Sequence, residues 1–323
     1  MKGGTEPTVC DANVVLGYLP SDVQLGGAMA INKDAAVTAV KKVADAMNLT
    51  VEEAAEGIVK IANEAMFGAL RLVSVEQGFD PRDFALVGFG GAGPLHANAL
   101  GILTQAWPTI IPPGPGVLCA YGDATTVVRD EASKTFVKLL KDASAAELET
   151  VLDELKHKAS ATLITDGIKL LDQEVTYQAD LRYTGQAFQL SIEFTLAELQ
   201  ARGLEVLKSQ FDKEHTQLFT FALEEGHEIV MVRAIAIASS GELPTMPKGN
   251  AANTLDECKL ADSQIYFEGQ YHPTPIYDRN KMQTDLQIPG PAIVSEMDST
   301  TVILPGYLAK VDAVGNLLIN PVK

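Results

Sequence analysis

The sequence has 323 residues, of which 46% are hydrophobic and 21% are charged, and its formal net charge is −17 at pH 7. A chain with this length and balance folds into two or three domains, which excludes an intrinsically disordered protein. The negative charge argues against nucleic acid as a partner, and no apolar run approaches the roughly 18 residues of a membrane span.

The chain begins with MKGGTEPTVCDANVVLGYLP, in which a glycine turn leads at once into an apolar run. This stretch lacks the long apolar core of a secretory signal. The three cysteines, Cys10, Cys119 and Cys258, lie far apart and follow no metal-binding spacing. We therefore expect a cytoplasmic protein, since thiols stay reduced in that compartment.

Two amphipathic helices are predicted next. Asn32 can cap a helix that runs to about Met47. Thr50 and Glu53 form a capping-box pair at the start of a second helix, which Gly78 is expected to end.

The stretch ALVGFGGAGPLHANALGIL, residues 85–103, predicts a strand, a loop and a helix. Its residues 88–93 are called the glycine loop below. Gly90, Gly91 and Gly93 have no β-carbon, so a ligand can lie close to the backbone there. Pro94 suits the first helical position. The N-terminus of this helix offers free N–H groups and a partial positive charge, which favours a nucleotide or another anion.

The residues of the loop leave its ligand open. Gly88, Gly90 and Gly93 satisfy G-x-G-x-x-G, so an NAD-dependent dehydrogenase is one alternative. That fingerprint also requires an acidic residue about twenty positions further on. Here the corresponding stretch WPTIIPPGPG has no carboxylate, and the first aspartate is Asp123. A glycine turn that serves only tight packing between strand and helix is another alternative.

Alternating strands and helices are predicted for the middle of the chain. A strand at 109–111 and the rigid turn PPGPGVL come first, followed by a strand near 127–140 and a helix near 144–164. A hairpin around TGQ has one buried face, and its Arg182, Tyr183 and Gln186 are expected at an accessible tip. A helix and a strand complete this part.

Three regions follow from these elements. Residues 1–126 predict an α/β nucleotide-binding region and residues 127–245 an α+β domain. The stretch ELPTMPKGNAAN, residues 242–253, is a candidate linker because it is rich in Pro, Gly and Asn. Residues 254–323 contain short strands between Pro/Gly turns and predict a small β-rich C-terminal module.

The segments FGGAGPLHA, GGTEPTVCDANVVLG and IPGPAIVSEMDSTTVILPG resemble the hydantoinase A, 5-oxoprolinase and acetone carboxylase β-subunit family, and the PLHA ending resembles its hydantoinase branch. The resemblance implies part of an actin-like (ASKHA) ATPase domain, with the glycine loop on the adenosine side of an ATP site that also uses Mg²⁺. It covers what looks like the C-terminal half of such a subunit. The two phosphate-binding D-x-G-G-T turns of the family lie upstream of this half, so we expect the isolated chain to hydrolyse ATP poorly.

The resemblance also implies a reaction and partners. The family uses ATP to phosphorylate a cyclic amide, such as a hydantoin or lactam, or a small ketone, for hydrolysis or carboxylation with a hydantoinase B-type subunit. The expected partners are that subunit, the missing N-terminal lobe and a small-molecule substrate, within an oligomer. A non-catalytic assembly or regulatory half-subunit without the phosphate-binding lobe is the alternative.

Four polar residues outside the glycines are candidates for this site. His96 lies beside the loop, on the expected second position of its helix, where the helix N-terminus lowers the pKa of a histidine; it can act as a proton acceptor or be structural. Asp11 can hold Mg²⁺ or orient an attacking group, or it can cap the following segment. By analogy with actin-like folds, Asn63 and Glu64 can contact the base and ribose, or they can belong to a solvated helix face. No metal ligands are assigned.

Overall fold

A computed structural model describes residues 4–21, 30–223, 225–238 and 254–322. The chain divides into two compact units: unit 1, which comprises Met1–Ala124 and Thr245–Lys323, and unit 2, which comprises Thr125–Pro244. The predicted linker at 242–253 lies outside the described residues. Within those described ranges, no helix combines the length and the apolar character needed to cross a membrane.

Helices come first, helices and strands mix in the middle of the chain, and strands predominate towards its end. The helices are α1 (Val9–Val15), α2 (Lys33–Met47), α3 (Val51–Val73), α4 (Gly93–Thr104), α5 (Leu118–Thr125), α6 (Ala145–Thr165), α7 (Leu196–Arg202) and α8 (Glu205–Phe219). The strands are β1 (Leu86–Val87), β2 (Thr109–Ile111), β3 (Arg129–Leu139), β4 (Gln173–Tyr183), β5 (Leu190–Phe194), β6 (His227–Ala238), β7 (Lys259–Phe267), β8 (Gln270–Asp278), β9 (Gln287–Pro289), β10 (Ala292–Ser295), β11 (Thr300–Ile303), β12 (Tyr307–Val311) and β13 (Leu317–Pro321).

The predicted helix caps are confirmed. The side chain of Asn32 accepts a hydrogen bond from the Ala35 amide at the start of α2. Thr50 and Glu53 form the capping box that begins α3. The prediction that Gly78 ends this helix is wrong: α3 ends at Val73, and Gly78 closes a short 3-10 turn that follows it. The α-helical hydrogen bonds thus end about one turn before Gly78.

The five-stranded sheet of unit 1 joins strands from both ends of the sequence. Its strand order is β1-β2-β13-β12-β9, and β1 runs parallel to β2. Strand β2 pairs with β13 in antiparallel fashion, with Ile110 opposite Leu318. A second, four-stranded sheet has the order β11-β10-β8-β7. The sequence analysis predicts residues 254–323 as a separate module. In the structure, the pairing of β13 with β2 joins them to the first 124 residues in one compact unit.

Close packing between β1, β2 and α4 fixes the position of the glycine loop. A β-carbon on Gly88 would lie 2.6 Å from Cβ of Ala97 and 2.9 Å from Cδ1 of Ile111. Real β-carbons do not approach other atoms so closely, so Gly88 is required for the contact between strand and helix. The interpretation of a packing glycine therefore holds for Gly88, the first residue of the loop.

Unit 2 contains a four-stranded antiparallel sheet with the order β3-β6-β4-β5. Helix α6 packs on β3 and β6, and α8 packs on β5. The predicted hairpin is confirmed as β4 and β5, with Tyr177 opposite Phe194. Helix α7, which no prediction included, begins with a capping box made by Thr195 and Glu198. The whole chain is thus a mixed α/β protein with several sheets.

Candidate functional site

The glycine loop leaves the carboxyl end of β1 and enters α4. Gly90 has a φ of +87°, and a β-carbon placed on it would meet no atom within 4 Å, so the space above it is open. Gly91 is exposed and Gly93 is half-buried. Helix α4 begins at Gly93, so Pro94 takes its second position and not the predicted first, and no side chain caps the helix. The carboxyl ends of parallel strands and uncapped helix N-termini are where anionic ligands bind in α/β proteins.

A second turn, residues 112–116, supports the loop and is called the proline turn. The Gly90 amide donates a hydrogen bond of 2.7 Å to the Pro115 carbonyl oxygen. The Gly114 amide, in turn, donates to Oε2 of Glu296 at 3.1 Å. Gly114 itself has a φ of +58°. The backbone path of the glycine loop is therefore set by hydrogen bonds that end on a side chain far along the sequence.

A third turn, residues 295–300, connects β10 and β11 and is called the Glu296 turn. The Glu296 amide donates to the Ser299 carbonyl oxygen at 2.9 Å, which closes the turn. Oγ of Ser299 donates to the Gly91 carbonyl oxygen at 3.3 Å. The turn thus contacts both the proline turn and the glycine loop.

Arg279 and Glu296 form a buried ion pair beneath these turns. Their side chains are 7% and 8% exposed, and Nη1 of Arg279 donates to Oε1 of Glu296 at 3.0 Å. Nη2 of Arg279 donates to the carbonyl oxygens of Ile111, at 2.9 Å, and Gly315, at 2.8 Å. Burial raises the pKa of Glu296 and lowers the pKa of Arg279, while each partner's charge opposes the shift of the other. The sequence analysis missed both residues, since only the fold brings them together.

An apolar cavity of about 350 Å³ lies along the glycine loop. The loop side of its wall consists of Gly88, Phe89 and Gly93, and the rest comes from β1 and from apolar positions of α3 and α4. His96 is the polar side chain of this wall. Cavities with apolar walls and a few fixed polar groups are typical of small-molecule sites.

His96 is oriented by Asn63. The two side chains are 6% and 7% exposed, and Nδ1 of His96 lies 2.8 Å from Oδ1 of Asn63. With that oxygen as the acceptor, Nδ1 carries the proton and Nε2 keeps its lone pair. The pKa of His96 is lowered from its ordinary value by burial. His96 is the fourth residue of α4 and not the second. Burial, and not the helix N-terminus that the sequence analysis named, is the cause of its lowered pKa.

The other predicted polar residues lie elsewhere in unit 1. Glu64 is exposed and lines, together with Asn63, a separate cavity of about 280 Å³. Asp11 belongs to the capping box of α1: its Oδ2 accepts from the amide of Thr8 at 2.9 Å and from Oγ1 of Thr8 at 2.7 Å. The structure thus joins His96 to Asn63, but among the described residues neither Glu64 nor Asp11 contacts His96 through a hydrogen bond or ion pair.

Unit 2 has a larger cavity, of about 790 Å³, next to a closed polar cluster. Oη of Tyr183 donates to Oδ1 of Asp212 at 2.6 Å, and Nε2 of His227 lies 2.7 Å from the same oxygen. The expected accessible tip of the hairpin is wrong for Tyr183, which is fully buried, and Arg182 is paired with Glu228. Because these side chains form hydrogen bonds and ion pairs with one another, they do not indicate a ligand site.

No metal centre is present in the part of the chain that the structure describes. Those residues contain no group of three or more His, Cys, Asp or Glu side chains placed to hold a metal ion.

Comparison with known families gives two matches that together span most of the chain. The model of the hydantoinase/oxoprolinase family matches residues 1–161. The model of the hydantoinase/oxoprolinase C-terminal domain matches residues 135–318.

Individual relatives agree with these matches. An uncharacterized protein of Methanocaldococcus jannaschii is 36% identical over 99% of this chain and 45% of its own length. The caprolactamase subunit alpha of Pseudomonas jessenii is 30% identical over 99% of this chain and 47% of its own. The chain therefore spans about half the length of the curated relatives it matches.

Solved structures resemble the fold. The crystal structure of an ATP-dependent caprolactamase from Pseudomonas jessenii covers 100% of this chain with a TM-score of 0.82 and 30% identity, and 48% of its own chain is matched. An acetone carboxylase structure without nucleotide has a TM-score of 0.71 at 21% identity, covers 98% of this chain with 46% of its own, and supports the fold alone. The matched family models, one of which covers more than half of the sequence, show that this chain belongs to the hydantoinase/oxoprolinase family.

Proposed function

We propose that this chain forms the adenosine-binding part of an ATP-dependent subunit that activates a cyclic amide. The observation that carries the proposal is the open space above Gly90, at the carboxyl end of β1 and the uncapped N-terminus of α4. The similarity to an ATP-dependent caprolactamase supports ATP as the nucleotide. In this proposal unit 1 is part of an actin-like ATPase domain, and Gly90, Gly91 and Gly93 contact the adenosine.

The proposed chemistry is transfer of the γ-phosphoryl group of ATP to the amide oxygen of a hydantoin or lactam. The carbonyl oxygen forms a bond to the γ-phosphorus while the bond between that phosphorus and the bridging oxygen breaks and ADP leaves. The carbonyl carbon thereby becomes more electrophilic. A hydantoinase B-type partner then supplies the site of hydrolysis. A small ketone, activated in the same way for carboxylation, is the other substrate class, and the relatives named as carboxylase subunits support it.

The residues of this chain hold the nucleotide in the proposal. The apolar cavity along the loop suits the flat face of a purine. His96 lines this cavity, and its Nε2 is the proposed acceptor for a hydrogen-bond donor of the ligand or for a proton. Asn63 holds the histidine ring. Glu64 contacts the ligand only if the ligand reaches the second cavity, and Asp11 only if a ligand atom approaches α1.

The phosphate groups and Mg²⁺ are proposed to be held mainly by a lobe outside these 323 residues. The curated relatives are about twice as long as the region they share with this chain, which leaves room for such a lobe. Since the described residues offer no metal-binding group, we assign no Mg²⁺ ligand in this chain.

The test is calorimetric titration of the 323-residue chain with ADP, ATP and NAD, each with and without Mg²⁺. We expect binding of ADP and ATP that changes little with Mg²⁺, without hydrolysis of ATP. Gly91→Leu should weaken ADP binding at least about tenfold, because its side chain occupies the ligand's place next to the backbone. The position accepts a β-carbon, whose nearest neighbour is an oxygen 3.5 Å away.

Gly68→Leu is the matched control, since Gly68 is an exposed residue of α3 where a β-carbon meets nothing within 4 Å. It should bind ADP like the wild type. Equal affinity of Gly91→Leu and Gly68→Leu, or NAD binding tighter than ADP binding, contradicts the proposed site. No nucleotide binding by the wild type overturns it in favour of a non-catalytic assembly role.

A further inference from the structure

The glycine loop lacks the acidic residue that glycine-rich nucleotide loops place near the ribose. The stretch after the loop, WPTIIPPGPG, contains no carboxylate. The fold brings one from elsewhere: Asp298, in the Glu296 turn, lies against the loop and the proline turn. A β-carbon on Gly91 would be 3.5 Å from the Asp298 carbonyl oxygen, and one on Gly116 would be 2.9 Å from its Oδ2.

One oxygen of the Asp298 carboxylate makes no hydrogen bond within the described residues. This atom, Oδ2, is buried. Arg279, the nearby cation, attracts Asp298 through its charge, but it donates its hydrogen bonds to Glu296 and to the carbonyl oxygens of Ile111 and Gly315. A buried carboxylate oxygen without a hydrogen bond costs free energy, and each such atom calls for an explanation.

Asp298 is also fixed relative to the loop. Glu296, two residues before it, accepts a hydrogen bond from the Gly114 amide, and Ser299, the next residue, donates one to the Gly91 carbonyl oxygen. The residue itself is half-buried, so part of it is accessible to solvent. A carboxylate held in this way loses little conformational freedom when it binds a ligand.

We propose that Asp298 accepts a hydrogen bond from a ribose hydroxyl of the nucleotide on the glycine loop. The proposal rests on the proposed function, because it names a further contact of the same site. Carboxylates read ribose hydroxyls in other glycine-loop sites, where they follow the next strand of the sheet. Here the turn between β10 and β11 takes that place. The contact makes Asp298 a determinant of specificity for ribonucleotides over deoxyribonucleotides.

The experiment is calorimetric titration of the wild-type chain, Asp298→Ala and Asp298→Asn with ADP, 2′-deoxy-ADP and 3′-deoxy-ADP. The wild type should bind at least one deoxy analogue about tenfold more weakly than ADP, as expected for a hydrogen bond to a charged acceptor. Asp298→Ala should bind ADP about tenfold more weakly and no longer distinguish the analogues. Asp298→Asn keeps an acceptor oxygen and should retain part of the discrimination.

Asp45→Ala is the control for loss of one negative charge from unit 1, since Asp45 is an exposed residue of α2. Fluorescence of Trp107 during thermal unfolding should show that all variants remain folded. If the wild type binds ADP and both analogues equally, or if Asp298→Ala still discriminates, the inference is overturned and the proposed function stands. If the wild type binds no nucleotide, both are overturned.

Discussion

Unit 1 and unit 2 each contain a buried polar cluster, but the two clusters serve different atoms. In unit 1, Arg279 donates hydrogen bonds to the carbonyl oxygens of Ile111 and Gly315, and Glu296 accepts one from the Gly114 amide of the proline turn. In unit 2, Tyr183 and His227 both contact Asp212, and the hydroxyl of Tyr183 accepts from the Leu223 amide. The first cluster shapes a loop with open space above it, whereas the second closes on itself.

The difference teaches where a binding site is to be sought in this chain. The larger cavity lies in unit 2, but the neighbouring polar cluster already has its partners. In unit 1 the ion pair of Arg279 and Glu296 holds backbone groups, and the space above Gly90 stays open. Buried charge that supports an open backbone is costly, and a ligand site is one reason for a fold to keep it.

Breaking the ion pair of unit 1 should have the largest effect. Glu296→Ala leaves Arg279 buried without its partner, which we expect to lower the free energy of unfolding by about 3–5 kcal/mol. Trp107, the single tryptophan, stacks on Tyr307 in unit 1 and reports this transition by its fluorescence in a urea titration. Glu6→Ala, in an exposed pair with Lys42, should leave the midpoint unchanged. A midpoint for Glu296→Ala equal to that of the control would contradict the supporting role.

Opening the cluster of unit 2 should have a smaller effect and leave nucleotide binding intact. Tyr183→Phe removes the hydroxyl between Asp212 and the Leu223 amide, which should cost about 1–2 kcal/mol. Faster amide hydrogen exchange in β4 and β6 would show this, while the fluorescence transition of Trp107 stays in place. Burial raises the pKa of Tyr183 to about 12, so the hydroxyl is neutral throughout the accessible pH range.

The matched control is Tyr177→Phe, a buried tyrosine of the same strand whose hydroxyl makes no hydrogen bond among the described residues. It should exchange like the wild type. If Tyr183→Phe weakens ADP binding as much as Gly91→Leu does, the contrast between the two units is lost.

The smallest expected effect is a pH dependence that arises from His96. Burial holds its folded-state pKa below 6.5, the value expected in the unfolded chain, so the unfolded state takes up the proton first. Stability should therefore fall as the pH drops below about 6.5. Urea midpoints from Trp107 fluorescence, compared at pH 8 and pH 5.5, should fall less for His96→Gln than for the wild type. His157→Gln, at an exposed position, should keep the wild-type difference; a full difference in His96→Gln would refute the assignment.

Local sequence was sufficient for much of the fold because its signals act over a few residues. The caps at Asn32 and Thr50, the glycine loop and the hairpin of β4 and β5 all depend on spacings that a short window contains. Helix α1 was missed although it has the same type of cap, since the capping box of Thr8 and Asp11 begins a helix of only seven residues. Such a short helix gives too little periodicity to recognise.

The support of the loop could not be predicted, because it depends on contacts between distant parts of the chain. Glu296 and Gly114 are separated by 182 positions, and no local pattern connects them. The expectation for His96 shows the same limit: its fall in pKa has burial as its cause, and burial depends on α3 as well as α4. Family resemblance located the loop, but only the fold shows what holds it.

The hydrogen bond between Ser299 and Gly91 has a consequence for the order in which the chain is synthesised and folds. The glycine loop leaves the ribosome long before the residues that hold it, since Gly91 and Ser299 are 208 positions apart. At about 5–20 residues per second, translation of that interval takes roughly 10–40 s. During this time the four described strands of unit 2, which form one sheet, can all find their partners. The glycine loop meanwhile lacks the residues that hold its backbone.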